Sequence, residues 1–263
     1  MRKVALIGYG HWGKILLPYL QKHFEVVCVF GRSVKKQGIF TNRLKEALAS
    51  ETEAVMIATP TGTHYSIAGA ALLNGKHVFC EKPLAKTGEE AKKLADLATF
   101  RRLHLVTDYI YTFSKRLLKI QDRLAGGKLR SMTASLDRNL KEEESVYWVL
   151  ASHLVAILGM FTDLSLLKFS IVPGSTKRGG AIYFNGDVEG TFLVNMVAEK
   201  KRTELYLYTD RQALIFNDLL QDDNLGYAIE FFRDILDGKK DGEANLKMAI
   251  SVTNIIKKIQ ENE

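Results

Sequence analysis

Short apolar runs recur through the first hundred residues, and each is followed by an amphipathic segment. The runs are continuous rather than alternating, as is typical of parallel strands buried on both faces. They are Val4–Ile7, Val26–Phe30, Ala54–Ala58, Val78–Cys80 and Leu103–Thr107. The segments between them have helical periodicity and are Trp12–Lys22, Arg43–Ala49, His64–Asn74 and Thr87–Phe100. This alternation of strand and helix predicts an α/β fold with a doubly wound parallel sheet.

The pattern changes after residue 110. Glycine-containing turns such as Asn185-Gly186-Asp187 separate short strand-like segments, which predicts a mainly antiparallel sheet. The predicted strands are Lys128–Arg138, Leu166–Val172, Ala181–Phe184, Val188–Met196, Thr203–Thr209 and Ala213–Phe216. The predicted helices are Ser114–Ala125, Tyr147–Phe161, Tyr227–Asp237 and Asn245–Gln260. We therefore expect two domains, residues 1–110 and 111–263.

Composition places the chain among ordinary globular proteins. Of its 263 residues, 46% are apolar and 25% are charged, and no apolar run approaches the length needed to span a bilayer. The N-terminus lacks the apolar core and cleavage site of a signal peptide, so we expect a cytoplasmic location and no membrane partner. The two cysteines, Cys28 and Cys80, lie in strand-like segments without metal-ligand spacing, which favours buried thiols and no metal.

The formal net charge is +7, but the basic residues are scattered. Acidic residues are interleaved with them, and no basic stripe alternates with aromatic residues as in proteins that bind nucleic acid. We therefore expect no nucleic-acid partner. The charge indicates at most a modest positive field that favours anionic cofactors or substrates.

A glycine motif follows the first predicted strand. Gly8-Tyr9-Gly10-His11-Trp12-Gly13 has the spacing of a dinucleotide-binding turn. The first glycine permits a tight turn, the second allows the backbone to approach a pyrophosphate, and the third allows close helix–strand packing. The following helix would offer its free N–H groups to the phosphates.

The end of the second strand bears on which dinucleotide binds. NAD enzymes usually place an acid there to hold the ribose hydroxyls, but this chain has Arg32 and Ser33 after Gly31. Arg32 and Ser33 could hold a 2′-phosphate, which favours NADP over NAD. The alternative is that Gly31 and Arg32 form only a solvated turn.

Two further strings have a specific spacing. Ala54–Ala58 continues into Thr59-Pro60-Thr61-Gly62-Thr63-His64, and Gly75–Cys80 continues into Glu81-Lys82-Pro83. These strings closely resemble the glucose–fructose oxidoreductase and inositol dehydrogenase (Gfo/Idh/MocA) family. The resemblance implies an N-terminal Rossmann domain and a C-terminal domain built on an open, largely antiparallel sheet. It runs through about Tyr109 and is looser beyond, and the chain is short for the family.

The resemblance implies that Lys82 lies beside the nicotinamide and acts as general acid/base or orients the alcohol. To exchange a proton at neutral pH, the pKa of a lysine must fall from about 10.4 to near 7, and partial burial and a cationic nicotinamide both favour this. A lysine on a surface turn is the alternative. The glycine motif, the second strand and the resemblance together give one set of cofactor-binding candidates. They are Gly8, Gly10, His11, Trp12, Gly13, Arg32, Ser33, Thr59, Pro60, His64, Glu81 and Lys82.

The resemblance also makes His153 a candidate to orient substrate or relay a proton. Relatives carry acids near this histidine, whereas this chain has Val149 and Ala156, so a buried core histidine is the alternative. Asp108 and Thr112 replace the glycine and arginine that relatives carry, so the polar lining of the site is altered. Tyr109, Tyr111 and Tyr147 could bind substrate or simply pack.

The expected function is NAD(P)-dependent hydride transfer to or from a secondary alcohol or ketone of a sugar, cyclitol or nucleotide-sugar-like substrate. The alternative is a non-catalytic, redox-responsive regulator that keeps the fold and the cofactor, suggested by the missing acids at Val149 and Ala156. The open sheet implied by the resemblance favours a homodimer or homotetramer, because an uncovered sheet face needs a partner.

Overall fold

The computed structural model describes residues 1–49, 51–124, 127–141, 144–217 and 222–261. The chain forms two compact units, and it enters each of them twice. The first unit contains Met1–Asp108 and Leu225–Ile250, and the second contains Tyr109–Asn224 and Ser251–Glu263. No helix in the described ranges is both long enough and apolar enough to cross a bilayer.

The first unit is built on a six-stranded sheet in which every pair of neighbours is parallel. The strands are β1 (Lys3–Ile7), β2 (Glu25–Phe30), β3 (Phe40–Thr41), β4 (Ala54–Ile57), β5 (His77–Glu81) and β6 (Leu105–Asp108). Their order is β3-β2-β1-β4-β5-β6, so the chain reverses direction across the sheet between β1 and β4. The predicted doubly wound sheet is confirmed, and the two-residue β3 is an addition to it. Ligands of such sheets bind at this reversal, beyond the carboxyl ends of the strands.

Four helices connect these strands. They are α1 (His11–His23), α2 (Leu44–Ala49), α3 (His64–Leu73) and α4 (Gly88–Arg101). The start of α4 is fixed by Thr87, whose hydroxyl accepts a hydrogen bond from the Glu90 N–H at 3.2 Å. The continuous apolar runs of the sequence are explained by burial on both faces, since Val4 to Ile7 are all inaccessible to solvent.

The second unit is built on a mixed, mainly antiparallel sheet. Its strands are β7 (Leu129–Asn139), β8 (Lys168–Ile171), β9 (Gly179–Asn185), β10 (Glu189–Asn195), β11 (Val197–Thr209) and β12 (Ala213–Asn217). The order is β12-β11-β7-β10-β9-β8, and only the pair β7–β10 is parallel among these strands. The predicted sheet type is confirmed.

One face of this sheet is buried and the other is open. Along β11, Leu205 and Leu207 are fully buried, whereas Tyr208 is 45% exposed. Helices α5 (Lys115–Leu124) and α6 (Ser152–Gly159) belong to the same unit, and a wider π-helical turn, Tyr147–Ala151, precedes α6. Ala125, which was predicted to end the helix before β7, lies outside the described residues.

The closing helices are α7 (Asn224–Leu236) and α8 (Glu243–Glu261). In the first unit, the Phe232 ring of α7 lies 5.5 Å from the Phe79 ring and 6.4 Å from the Phe24 ring. The predicted second domain, 111–263, therefore differs from the structural division, because Leu225–Ile250 complete the core of the first unit. The end of α8 belongs to the second unit, where Gln260 accepts from the Trp148 indole N–H at 2.7 Å.

Candidate active site

The glycine turn after β1 is shaped by its own backbone. Gly8 has φ +110°, and a Cβ there would lie 2.4 Å from the Ala58 carbonyl oxygen. A Cβ on Gly13 would lie 1.9 Å from the Gly8 carbonyl oxygen, whereas a Cβ on Gly10 would meet nothing within 4 Å. Gly8 and Gly13 are thus required by packing, and Gly10 faces open space.

The open space beside Gly10 is part of a cavity of about 810 Å³ in the first unit. It lies beyond the carboxyl ends of β1, β2 and β4, and the N-terminus of α1 has neither a side-chain cap nor an acid in its first turn. Such a helix end binds phosphate through its free N–H groups. The predicted cofactor residues that line the cavity are Gly8, Gly10, Arg32, Ser33, Thr59 and Pro60. The turn, the helix end and the volume fit a dinucleotide.

Five polar or aromatic lining residues were missed by the sequence analysis, namely Tyr9, Lys14, Phe30, Thr63 and Ser66. Their sequence signal was proximity to the glycine string, to the end of β2 or to the Ala-Thr-Pro string. The cations of the described lining are Lys14 and Arg32, and no acidic side chain lines this cavity among the described residues. The end of β2 therefore presents positive charge to a ligand.

His64 joins the two strings that carry the family resemblance. It is 1% exposed, and its Nδ1 lies 2.7 Å from the Pro83 carbonyl oxygen while its Nε2 lies 2.7 Å from the Thr59 carbonyl oxygen. Carbonyl oxygens only accept, so the imidazole donates to one of them and, when protonated on both nitrogens, to both. This predicted cofactor residue therefore holds together the loops after β4 and β5.

Glu81 and Lys82 lie at the carboxyl end of β5, and the peptide bond between Lys82 and Pro83 is cis. The Trp12 indole N–H donates to the Glu81 carboxylate, and Lys82 is half-buried. Burial raises the pKa of Glu81 to about 7, although the Lys82 charge and the Trp12 hydrogen bond both act to lower it. His11 is exposed at the start of α1.

Comparison with known proteins also indicates a dinucleotide-binding fold in the first unit. The Gfo/Idh/MocA model, an oxidoreductase family with an NAD-binding Rossmann fold, matches residues 2–109. The matched residues span the whole of the first sheet, from β1 to β6. Lys82 and His64 lie in the strings that resembled the family, and the structure places those strings side by side.

Two curated relatives each match less than half of this chain. An uncharacterized oxidoreductase of Schizosaccharomyces pombe is 35% identical over 142 residues, which cover 48% of this chain and 38% of that protein. The UDP-N-acetylglucosamine 3-dehydrogenase of Acidithiobacillus ferrooxidans is 30% identical over 115 residues, covering 41% of this chain and 37% of that protein. The matched part is thus less than two fifths of the length of either curated relative.

Solved structures share the fold over nearly the whole chain. The A. ferrooxidans enzyme superimposes with a TM-score of 0.85 at 19% identity, covering 99% of this chain and 97% of that one. A 3-ketoreductase of Actinomadura kijaniata, in complex with TDP-benzene and NADP, superimposes with a TM-score of 0.81 at 16% identity and the same coverage. Both units therefore share the fold of these two enzymes.

In the second unit, aromatic residues surround His153, the residue predicted to orient the substrate or relay a proton. The Tyr111 ring lies 5.0 Å from the His153 ring, edge-on at 74°, and the Tyr109 ring lies 6.5 Å away. Tyr109 and Tyr147 are fully buried. The Tyr147 hydroxyl lies close to Gly180, where an added Cβ would be 2.9 Å from it.

Arg138 was missed by the sequence analysis. It is 8% exposed and donates at 2.9 Å to the hydroxyls of Tyr111 and Thr203, and also to two backbone carbonyls. Because the Tyr111 oxygen accepts from Arg138, its own O–H is directed elsewhere. The signal in the sequence was a basic residue at a core-facing position of β7. Arg138 fixes Tyr111 beside His153.

Proposed function

We propose that this chain is an NAD(P)-dependent oxidoreductase that transfers a hydride between the nicotinamide and a secondary alcohol or ketone of a sugar, cyclitol or nucleotide-sugar-like substrate. The observation that carries the proposal is the cavity of about 810 Å³ beside Gly10 and the uncapped start of α1. Lys82 lies at the same carboxyl edge of the sheet, at the end of β5. The match of residues 2–109 to the Gfo/Idh/MocA family model supports the same activity.

We propose NADP as the favoured cofactor, with NAD as the alternative. Arg32, Ser33 and Lys14 line the cavity after β1 and β2, and a 2′-phosphate is stabilised by charge-assisted hydrogen bonds from such side chains. A carboxylate at the end of β2 would repel that phosphate, and the chain has none there.

Lys82 and His153 are the proposed catalytic residues. When bound, the nicotinamide supplies or accepts the hydride. Lys82 exchanges a proton with the reacting oxygen of the substrate, and His153 orients the substrate. Tyr109 and Tyr147 are the proposed aromatic walls of the substrate site, and Arg138 holds Tyr111 for a hydrogen bond there.

The substrate class is proposed from the relatives. One is a dehydrogenase of UDP-N-acetylglucosamine, and another is a 3-ketoreductase with TDP-benzene bound. A non-catalytic regulator is the second candidate, because Val149 and Ala156 stand where the family resemblance implies acids. Such a regulator would bind cofactor and turn over no substrate.

The test has two stages. Purified protein is first titrated with NADPH and NADH by calorimetry, and then screened with sugars and ketosugars, including nucleotide-linked ones, by the change in NADPH absorbance. Turnover that is lost in Lys82→Met with NADPH affinity retained supports the proposal, and the exposed Lys86→Met is the matched control. Cofactor binding with no turnover of any substrate favours the regulator. No affinity for either dinucleotide contradicts both.

We also propose that the chain forms a homodimer or homotetramer through the open face of the second sheet. Large apolar side chains on this face are solvent-accessible, and they are Tyr183, Leu193, Tyr208 and Ile215. Large apolar side chains exposed on one face of a sheet are candidates for an interaction surface.

A further inference from the structure

Two carboxyl groups face each other at the carboxyl ends of β5 and β6. Glu81 and Asp108 are register partners in these adjacent parallel strands, so their Cα atoms are separated by about one strand spacing, roughly 4.8 Å. Asp108 is only 1% exposed. A pair of carboxylates at this separation in a buried site repels strongly unless one of them carries a proton.

The hydrogen bonds of the pair are unequal. Glu81 receives the Trp12 indole N–H and a backbone hydrogen bond from Lys82. Neither carboxyl oxygen of Asp108 receives an N–H or O–H donor from any described residue. The remaining interaction of Asp108 is with the Glu81 carboxyl, and two carboxyl groups can form a hydrogen bond only when one of them is protonated.

The location of the proton follows from this inequality. Glu81 accepts hydrogen bonds that stabilise its negative charge, whereas Asp108 is buried without such donors among the described residues. Burial, and then the Glu81 charge, raise the pKa of Asp108 well above its ordinary value. The hydrogen bond from Asp108 in turn acts to lower the pKa of Glu81. Both effects place the proton on Asp108.

We propose that Asp108 is a positioning residue that remains protonated, donates its O–H to the Glu81 carboxylate, and so maintains one negative charge rather than two or none beside Lys82. The inference rests on the proposed function, in which Lys82 exchanges the substrate proton. Two carboxylates would overstabilise the ammonium form of Lys82, and a neutral Glu81 would leave that ammonium without its counter-charge.

In the part of the chain that the structure describes, few other titratable groups act on the pair. The titratable neighbours are Lys82, which directly follows β5, and the Cys80 thiol of β5, whose pKa is raised by burial and by the Glu81 charge. From α1 comes the uncharged Trp12, and Asn245 binds the backbone of Thr107 next to Asp108. Lys82 is the cation that acts on both carboxyls.

Trp12 gives a direct readout, because its indole N–H donates to Glu81. In a Trp148→Phe background, Trp12 is the single tryptophan, and its emission is followed against pH. Asp108→Asn keeps an N–H donor, so we expect the transition midpoint to stay within about half a pH unit of the parent. Asp108→Leu removes the donor, and the midpoint should rise by about one unit or more. A fall of about one unit in Asp108→Asn would show that Asp108 is ionised and would overturn the proposal.

Infrared spectroscopy supplies an independent measurement that does not depend on tryptophan. At about pH 9, roughly two units above the pKa of Glu81, the parent should show the carbonyl band of a protonated carboxylic acid. The band should disappear in Asp108→Asn and persist in Glu81→Gln. The reverse assignment, or no acid band in the parent, would overturn the proposal.

Turnover then tests the positioning role. With a substrate from the screen, Asp108→Asn should keep kcat within about threefold of the parent, whereas Asp108→Leu should lower kcat at least tenfold with NADPH affinity unchanged. Equal kcat in Asp108→Leu and parent would overturn the positioning role. The two spectroscopic measurements need no cofactor. If the protein failed to bind NADPH, the proposed function would be contradicted, but these measurements would still determine whether Asp108 is protonated.

Discussion

Asn245 binds the backbone of Thr107 through both ends of its side-chain amide. Its Oδ1 accepts from the Thr107 N–H at 2.8 Å, and its Nδ2 donates to the Thr107 carbonyl at 2.9 Å. Thr107 lies in β6, which is an edge strand of the first sheet among the described residues. The amide therefore satisfies, at this residue, the backbone groups that a seventh strand would pair.

We expect Asn245→Ala to destabilise the protein by about 2–4 kcal/mol, because two buried backbone groups lose their partner. The measurement is unfolding in urea. Asn254→Ala is the matched control, since Asn254 is exposed on the same helix and gains similar helix propensity. It should stay within about 0.5 kcal/mol of the parent. Equal losses in the two variants would contradict the role given to the Asn245 amide.

The glycine turn allows packing and ligand binding to be separated. Gly13→Ala would force a Cβ against the Gly8 carbonyl, and we expect a loss of about 2–3 kcal/mol of stability. Gly10→Ala adds a methyl group in open space at φ −81°, so its stability should change by less than about 0.5 kcal/mol. NADPH affinity should nevertheless fall at least tenfold in Gly10→Ala. Thermal unfolding measures the change in stability, and calorimetry measures the change in NADPH affinity. Unchanged NADPH affinity in Gly10→Ala would contradict binding of the dinucleotide at this turn.

Arg32 provides the test of cofactor preference. Arg32→Ala should weaken NADPH binding by about 1–2 kcal/mol, roughly tenfold, and leave NADH binding within about twofold, because only NADPH carries the 2′-phosphate. Lys35→Ala is the control, as Lys35 is an exposed cation nearby that does not line the cavity. A parallel loss for both dinucleotides, or an equal effect of Lys35→Ala, would contradict the assigned contact.

Much of the first unit could be predicted from the sequence, because buried parallel strands leave continuous apolar runs that are easily recognised. The two-residue strand Phe40–Thr41 is too short to leave such a pattern. The membership of α7 in the first unit could not be predicted either. It depends on the fit of Phe232 against Phe24 and Phe79, which lie far away in the sequence.

The candidate site was predictable where a local string determines the geometry. The glycine turn and the loop after β5 are of this kind. The pairing of Glu81 with Asp108 depends on strand register, and the contact of Arg138 with Tyr111 joins positions 27 residues apart in the chain. Neither relationship leaves a pattern in the order of residues.

The open face of the second sheet leads to a prediction about assembly. Tyr208→Asp and Leu193→Asp place charges on this face, and each should shift the protein toward the monomer in size-exclusion chromatography with light scattering. Phe100→Asp is the control, because Phe100 is 83% exposed on α4 in the first unit. A monomeric parent, or dissociation caused equally by Phe100→Asp, would contradict assembly through the sheet.

The lowered pKa of His77 leads to a prediction of how the free energy of unfolding depends on pH. Burial, and then the charge of a protonated His104, lower the pKa of His77 to about 4, and its Nδ1 accepts from the His104 backbone N–H at 2.9 Å. In the unfolded chain a histidine has a pKa near 6.5, so below that pH the unfolded state takes up a proton that the folded state does not. This contribution to stability is complete above about pH 6.5 and is lost as the pH falls toward 4.

We expect the loss to amount to about 1–3 kcal/mol, reduced from the full linkage value because the ring is partly accessible to solvent. His77→Asn keeps an acceptor for the His104 N–H and cannot titrate, so its free energy of unfolding should decline less steeply from pH 6.5 to 4. Urea unfolding at a series of pH values measures this, and the difference between variant and parent should stay constant above pH 7, which serves as the internal control. Parallel curves through the acid range would mean that His77 takes up its proton equally well in the folded state.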